Sequence, residues 1–455
     1  MHHTREKQIS AVNGILRKFV IPGLSVVFVF LLVVNLLEGV ILPRWSDRQG
    51  RASASPSDKA VDRVSASEST ASDGSIPDDA VQGPPAMRSV DDDLSASLDK
   101  ISKKYGAVAV QAAIIKDGAV YAYYNYGYAN RSEEKPVTSD TVFRVASLSK
   151  MIDAMAVMKM VDNGQMELDG DIGSYLGYTV RSKKYPKTSI TPRMLMTHTS
   201  SITDSSGFLE SRSAGSSVPL KELLSRSSSY SGTRPGSVYQ YSNFGIAVLT
   251  AAAEKNMGMP FYEYTENELF KPLSVDASFL ASRISDPDKI ACLYNSDGGV
   301  GYSVSRQRKE KCAQELGQTH HIYQGNLTIS AADYAGLLCL LLNHGRDQTG
   351  KQILSAQSVQ EILKVQHDAG SRQYGLCSVI STKVVTGRRM YCHTGSNFGM
   401  YSSFAFDPDD SSGVVVLTSG AAASKESSGV YDVCGDIIRE IYKSLDEPRS
   451  LLIPA

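Results

Sequence analysis

The sequence predicts an α/β domain in which an antiparallel sheet is flanked by helices and interrupted by an inserted helical subdomain, with one transmembrane helix ahead of it. Three observations lead there. Strand-like runs cluster at both ends of the domain, helical periodicity fills the stretch between them, and an uncharged apolar run lies near the N-terminus behind a polar segment.

The elements follow in chain order. No charge occurs between Phe19 and Leu37. At the rise of an α-helix that run spans about 28 Å, close to the thickness of a bilayer core. Arg5, Lys7, Arg17 and Lys18 precede it with only Glu6 opposing them, so residues 1–18 are expected as a cytoplasmic tail. Glu38, Pro43 and Arg44 follow in place of a small-residue cleavage motif, and residues 19–42 therefore read as an uncleaved signal anchor. Residues 43–90 are dominated by Ser, Ala, Asp, Gly and Pro, too poor in large apolar side chains to fold, and read as a disordered linker. This places the chain in the cell membrane as a single-pass protein, with residues 91–447 as one extracytoplasmic unit and residues 448–455 as a short tail.

Within that unit, Asp91 to Lys104 starts an amphipathic helix with Leu94, Leu98 and Ile101 in phase. Residues 108–115 and 120–128 form a hairpin around Asp117-Gly118. After an extended lead-in at 141–145, a helix opens at Ser147, with Met151, Ala154, Met155, Met158 and Val161 on one face and Asn163-Gly164 closing it. Helices and loops continue to about residue 342. Strands are expected at 374–380, 389–393, 401–406 and 413–418, the first two paired as a hairpin through Thr386-Gly387, and a helix at 427–443 ends the unit.

Three segments carry chemistry. Ser147-Leu148-Ser149-Lys150 places a hydroxyl and an amine one helical turn apart, with Ser147 at the helix N-terminus, where free N–H groups favour an oxyanion. Burial or a nearby cation pushes such an amine toward the basic, neutral form. Tyr241-Ser242-Asn243 follows the turn Arg234-Pro235-Gly236-Ser237 and opens a buried helix, offering a phenol to relay a proton and an amide to bind a substrate amide. His393-Thr394-Gly395-Ser396 closes a strand, where Gly395 permits close backbone approach and the N–H of Ser396 faces a substrate carbonyl. Singly, each has a plainer reading: an N-cap serine with a solvated lysine, an aromatic loop anchor for which Tyr239 serves equally, and an ordinary polar histidine. Their order and combination give a kit for serine acyl transfer.

With these residues the chain resembles the penicillin-recognising serine hydrolases, in the class C β-lactamase-like branch and nearest to the Streptomyces-type D-alanyl-D-alanine carboxypeptidases, which carry S-x-x-K, Y-S-N and H-T-G. Residues 141–147, 164–170, 190–200 and 326–334 extend the resemblance. It implies a β-lactamase/transpeptidase-like fold. Ser147 would be the nucleophile, Lys150, Tyr241 and His393 the other catalytic groups, and Asn243, Thr394, Gly395 and Ser396 the substrate-binding ones. Expected ligands are peptidoglycan peptides or other small acyl substrates, with β-lactams as covalent ligands. No cofactor and no metal is implied. Other members of the family leave open an esterase, a D-amino-acid peptidase or a weak β-lactamase, and a non-catalytic penicillin-binding sensor is a further alternative. The family's carboxylate-binding arginine has no clear match, with Lys383, Arg388 and Arg389 nearest in sequence. His198 reads as a structural loop histidine, since no G-x-S-x-G elbow supports a Ser-His-Asp enzyme.

The net charge of −1 gives no reason to expect nucleic acid. All six cysteines lie in the expected extracytoplasmic part, where disulfides persist. Cys377 and Cys392 are expected to bridge facing strands if the register allows it, and Cys292 with Cys312 to staple a loop. Cys339 and Cys434 read as buried thiols.

Overall fold

The computed structural model describes residues 88–211, 218–318, 321–370 and 372–446. The expected anchor, nearly all of the expected linker and the C-terminal tail lie outside the described residues. Among the described residues no helix is long and apolar enough to cross a membrane.

Helix α1 (Asp92–Lys104) begins where Asp91 accepts the Leu94 N–H, a side-chain N-cap. Strands β1 (Ala109–Lys116) and β2 (Ala119–Asn130) form the first hairpin. Asp117 and Gly118 both adopt positive φ, +53° and +71°, as a two-residue primed turn requires. The C-terminal half supplies β3 (Gln373–Gly375), β4 (Ser378–Ser381), β5 (Met390–Asn397), β6 (Met400–Asp407) and β7 (Ser412–Ser419). The sheet runs β2-β1-β7-β6-β5-β4-β3, each neighbouring pair antiparallel, with Arg88–Ser89 parallel to β2 at one edge and His367–Asp368 beyond β3 at the other. Pairing β7 with β1 joins the early and late strands of the domain, which is why the helical segments read as an insert.

Side chains alternate between two cores. On β1, Ala109, Ala113 and Ile115 enter one cluster while Val110, Ala112 and Ile114 enter the other. The second cluster holds the apolar residues of α1 and of the final helix α5 (Asp432–Asp446); the first holds those of α2 (Ser149–Asp162), α3 (Asn243–Met257) and α4 (Ala331–Leu342). The result is an α/β/α sandwich around a mainly antiparallel sheet.

Four expectations change. The helix after Ser147 does not present one apolar face. It is buried on all sides, Ser149, Lys150 and Asp153 included, because the inserted helices surround it. Ser147 sits in a single 3-10 turn, Ala146–Leu148, ahead of the α-helix proper. The run expected as one strand at 374–380 folds back on itself as β3 and β4. Cys377 turns there at φ +50°, and its N–H donates to the Met196 carbonyl (2.9 Å). Finally, the His-Thr-Gly-Ser segment lies within β5 rather than beyond a strand end.

The same fold-back removes the expected disulfide. The residue opposite Cys392 is Val379, and Cys377 and Cys392 pack into different cores on opposite sides of the sheet. None of the six cysteines forms a disulfide among the described residues, Cys292 and Cys312 included.

Candidate active site

The three sequence segments meet at one cleft. Lys150 is buried, and its Nζ donates to Ser147 Oγ at 3.1 Å and to the Gln324 carbonyl at 2.6 Å. Tyr241 approaches from the α3 side, and its hydroxyl donates to Ser147 Oγ at 2.8 Å. The nucleophile candidate thus receives two hydrogen bonds, one from an amine behind it and one from a phenol beside it. Ser147 lies on the 3-10 turn that crosses β5. A Cβ placed on Gly395 would sit 2.6 Å from the Val145 carbonyl and 2.9 Å from the Ser147 nitrogen. Only glycine lets the strand pass so close to the nucleophile's backbone.

Helix α3 starts with Ser242 as N-cap, its Oγ accepting the Gly245 N–H at 2.9 Å. Asn243 is therefore the first helical residue rather than the cap. It lines the cleft while its Nδ2 donates to Asp204 (2.8 Å), which also accepts from Ser242 Oγ and the Phe244 N–H. Asp204 orients this loop, and nothing in its local sequence marks it.

His393 is nine-tenths buried, and its Nδ1–H donates to the Thr394 carbonyl at 2.9 Å. Burial pushes it down to about 3, so the ring is neutral and can serve the cleft by hydrogen bonding but not as a cation. The cations of the cleft are Arg372, next to β3, and Lys425, on the loop between β7 and α5. They line a cleft of about 450 Å³ together with Ser147, Tyr241, Asn243, His393, Thr394 and Ser396. Burial, and then the neighbouring Arg372, lower Lys425 from its ordinary value, as two cations in one hollow should. Sequence proximity pointed elsewhere. Arg388 is held outside the cleft by Asp407, Asp410 and Asp446, and Arg389 lies over the Tyr391 ring. The cleft cations come from segments 21 residues before and 32 residues after His393 (393 − 372 and 425 − 393), and strand order alone brings them in.

Behind Lys150, one turn along α2, Asp153 is fully buried, and neither carboxylate oxygen has a hydrogen-bond partner among the described residues. Burial drives its carboxyl well above the usual range, and the Lys150 charge offsets this only in part. Among the described residues no group of side chains has the makeup of a metal site.

With the geometry in place, the comparisons with known proteins settle the family. The beta-lactamase family model matches residues 94–431. The chain belongs to the beta-lactamase family. Among curated relatives, penicillin-binding protein 4* of Bacillus subtilis is 23% identical over 38% of this chain and 38% of its own length. Esterase EstB of Burkholderia gladioli is 28% identical over 44% of this chain and 54% of its own. Those two alignments thus span about half of each relative or less. Penicillin-binding protein 4 of Amycolatopsis lactamdurans aligns further, at 23% identity over 78% of this chain and 93% of that one. Among solved structures, a class C beta-lactamase superposes with a TM-score of 0.58 at 18% identity, covering 78% of this chain and 98% of that one. The octameric penicillin-binding protein homologue from Pyrococcus abyssi gives 0.59 at 21% identity, over 72% and 73%. These superpositions establish the beta-lactamase/transpeptidase-like fold.

Proposed function

We propose that this protein is a membrane-anchored, extracytoplasmic serine hydrolase that works through an acyl-enzyme on Ser147 and cleaves peptides ending in D-alanyl-D-alanine or a close mimic. The observation that carries the reading is the Ser147 hydroxyl held between Lys150 Nζ and the Tyr241 hydroxyl, in a cleft that also carries Arg372 and Lys425. In the acylating form Lys150 is the neutral amine; Ser147 Oγ attacks the carbonyl carbon and its proton passes to the lone pair of Lys150 Nζ. The N–H groups of Ser147 and Ser396 receive the oxyanion, and the proton moves through Tyr241 to the leaving nitrogen as the C–N bond breaks. Water then enters by the reverse proton path and frees the enzyme. Asn243 and Thr394 align the substrate amide, and Arg372 and Lys425 take the terminal carboxylate, the role that neutral His393 cannot fill. A β-lactam would acylate Ser147 by the same attack. The uncharged run from Phe19 to Leu37 and its basic flank support the anchor.

The test compares kcat/KM for a diacylated D-alanyl-D-alanine peptide, its C-terminal amide and a short acyl ester. Preference for the free carboxylate supports carboxypeptidase action. Equal or faster turnover of the neutral ester moves the protein to the esterase reading, with the same residues in the same roles. A binding-only sensor shows no burst with any of the three.

A further inference from the structure

One buried titratable group in this site has no part in the reaction as written. His198 follows the short helix Pro192–Met196 in the left-handed region at φ +54° and is 4% exposed. Its Nδ1 accepts the Ser242 N–H at 3.2 Å, so the ring proton sits on Nε2. Its carbonyl accepts the Gln240 N–H at 2.7 Å. Its ring rests on Tyr241 with centroids 4.5 Å apart and meets Tyr239 edge-on at 5.8 Å. His198 therefore grips the residues on both sides of Tyr241 through the backbone and Tyr241 itself through its ring. The Nε2 and Ser378 Oγ are both buried without a hydrogen-bond partner among the described residues, and both residues line a cavity of about 10 Å³, room for one water, shared with His393. A loop histidine serving only to fill space needs none of these polar contacts.

We infer that His198 is the positioning residue of Tyr241: as the neutral Nε2–H tautomer, with its ring proton held by a water shared with Ser378, it fixes the phenol on Ser147 Oγ. This rests on the acyl-enzyme reading above. The tautomer follows from the geometry, and burial keeps the ring from taking a second proton.

The experiment is a double-mutant cycle on the acylation rate constant of the full chain in detergent, with a chromogenic acyl ester, for His198→Phe, His198→Asn and Tyr241→Phe. Thermal unfolding is followed alongside. Asparagine tolerates positive φ and offers an amide oxygen near the Nδ1 position, whereas phenylalanine keeps a ring and loses the acceptor. Tyr241→Phe is expected to lower acylation about 100-fold, the usual weight of a proton-transfer group. His198→Phe is expected to lower it about tenfold with KM unchanged, and His198→Asn to restore most of that loss. In the Tyr241→Phe background, His198→Phe should add nothing, because it acts only through the phenol. Additive losses, or equal losses in the Phe and Asn variants, overturn the inference while leaving the acyl-enzyme intact. Should His198→Phe fail to fold, the Asn variant decides, since a tenfold or larger fall there also overturns it. Full acylation by Tyr241→Phe overturns the relay itself and the inference with it.

Discussion

Asp153 gives the sharpest test of how this domain is built. Its carboxyl is fully buried, has no hydrogen-bond donor among the described residues, and is pushed by burial well above its ordinary 3.8. The folded state keeps the proton, whereas the unfolded chain releases it once the pH exceeds 3.8. Folding therefore has its full share of stability from this group below that pH and loses it as the pH climbs toward the raised folded value, at about 1.4 kcal/mol per pH unit. Asp153→Asn removes the proton from the balance and keeps the shape. Its own cost, a buried amide, is independent of pH. The stability of the variant relative to the parent should thus rise as the pH is taken from about 5 to about 7, by at most about 1.4 kcal/mol per pH unit. Urea unfolding followed by far-UV circular dichroism across that range measures it. A difference that stays flat with pH, with the variant several kcal/mol less stable throughout, would show that Asp153 is ionised and paired with Lys150, and the reasoning fails.

Other outcomes follow from the same geometry. Ser147→Ala should abolish covalent labelling by a fluorescent penicillin with the fold intact, and Lys150→Ala should slow acylation by about three orders of magnitude or more, because coupled catalytic groups fail together; label mapped to another residue would refute the assignment. Gly395→Ala should lower acylation about 100-fold, because the new Cβ lies 2.9 Å from the Ser147 nitrogen and forces β5 away from the nucleophile; unchanged burst kinetics would count against that crossing. Arg372→Ala and Lys425→Ala should each raise KM about tenfold for a free-carboxylate peptide and leave its amide unaffected, as steady-state kinetics on the pair will show. Protease added outside intact cells should release the domain by cutting within residues 43–90, and protection of that stretch would reverse the proposed topology.

The sequence by itself determined what depends on neighbours a few residues apart. Helical period puts Lys150 one turn from Ser147, and the hydrogen bond between them follows. Asp117-Gly118 dictates its turn, and the alternating runs at 401–406 and 413–418 become β6 and β7 with one residue added at each end. The bearing of Tyr241, Asn243 and Thr394 on Ser147 was legible only as a combination of motifs, since no local rule says that three distant segments share a cleft. The tertiary structure decided the rest. A strand-like run broke into β3 and β4 because Cys377 bonds to a distant carbonyl, which parted the cysteines. The cations lining the cleft are Arg372 and Lys425, because strand pairing delivers their segments there, while Arg388, nearer in sequence, is drawn to carboxylates elsewhere. Asp153, on the helix whose sequence pattern suggests a single apolar face, lies in the buried centre of the fold. Periodicity reports which residues share a face of a helix, but only the packing of the other elements around it determines how many faces are buried.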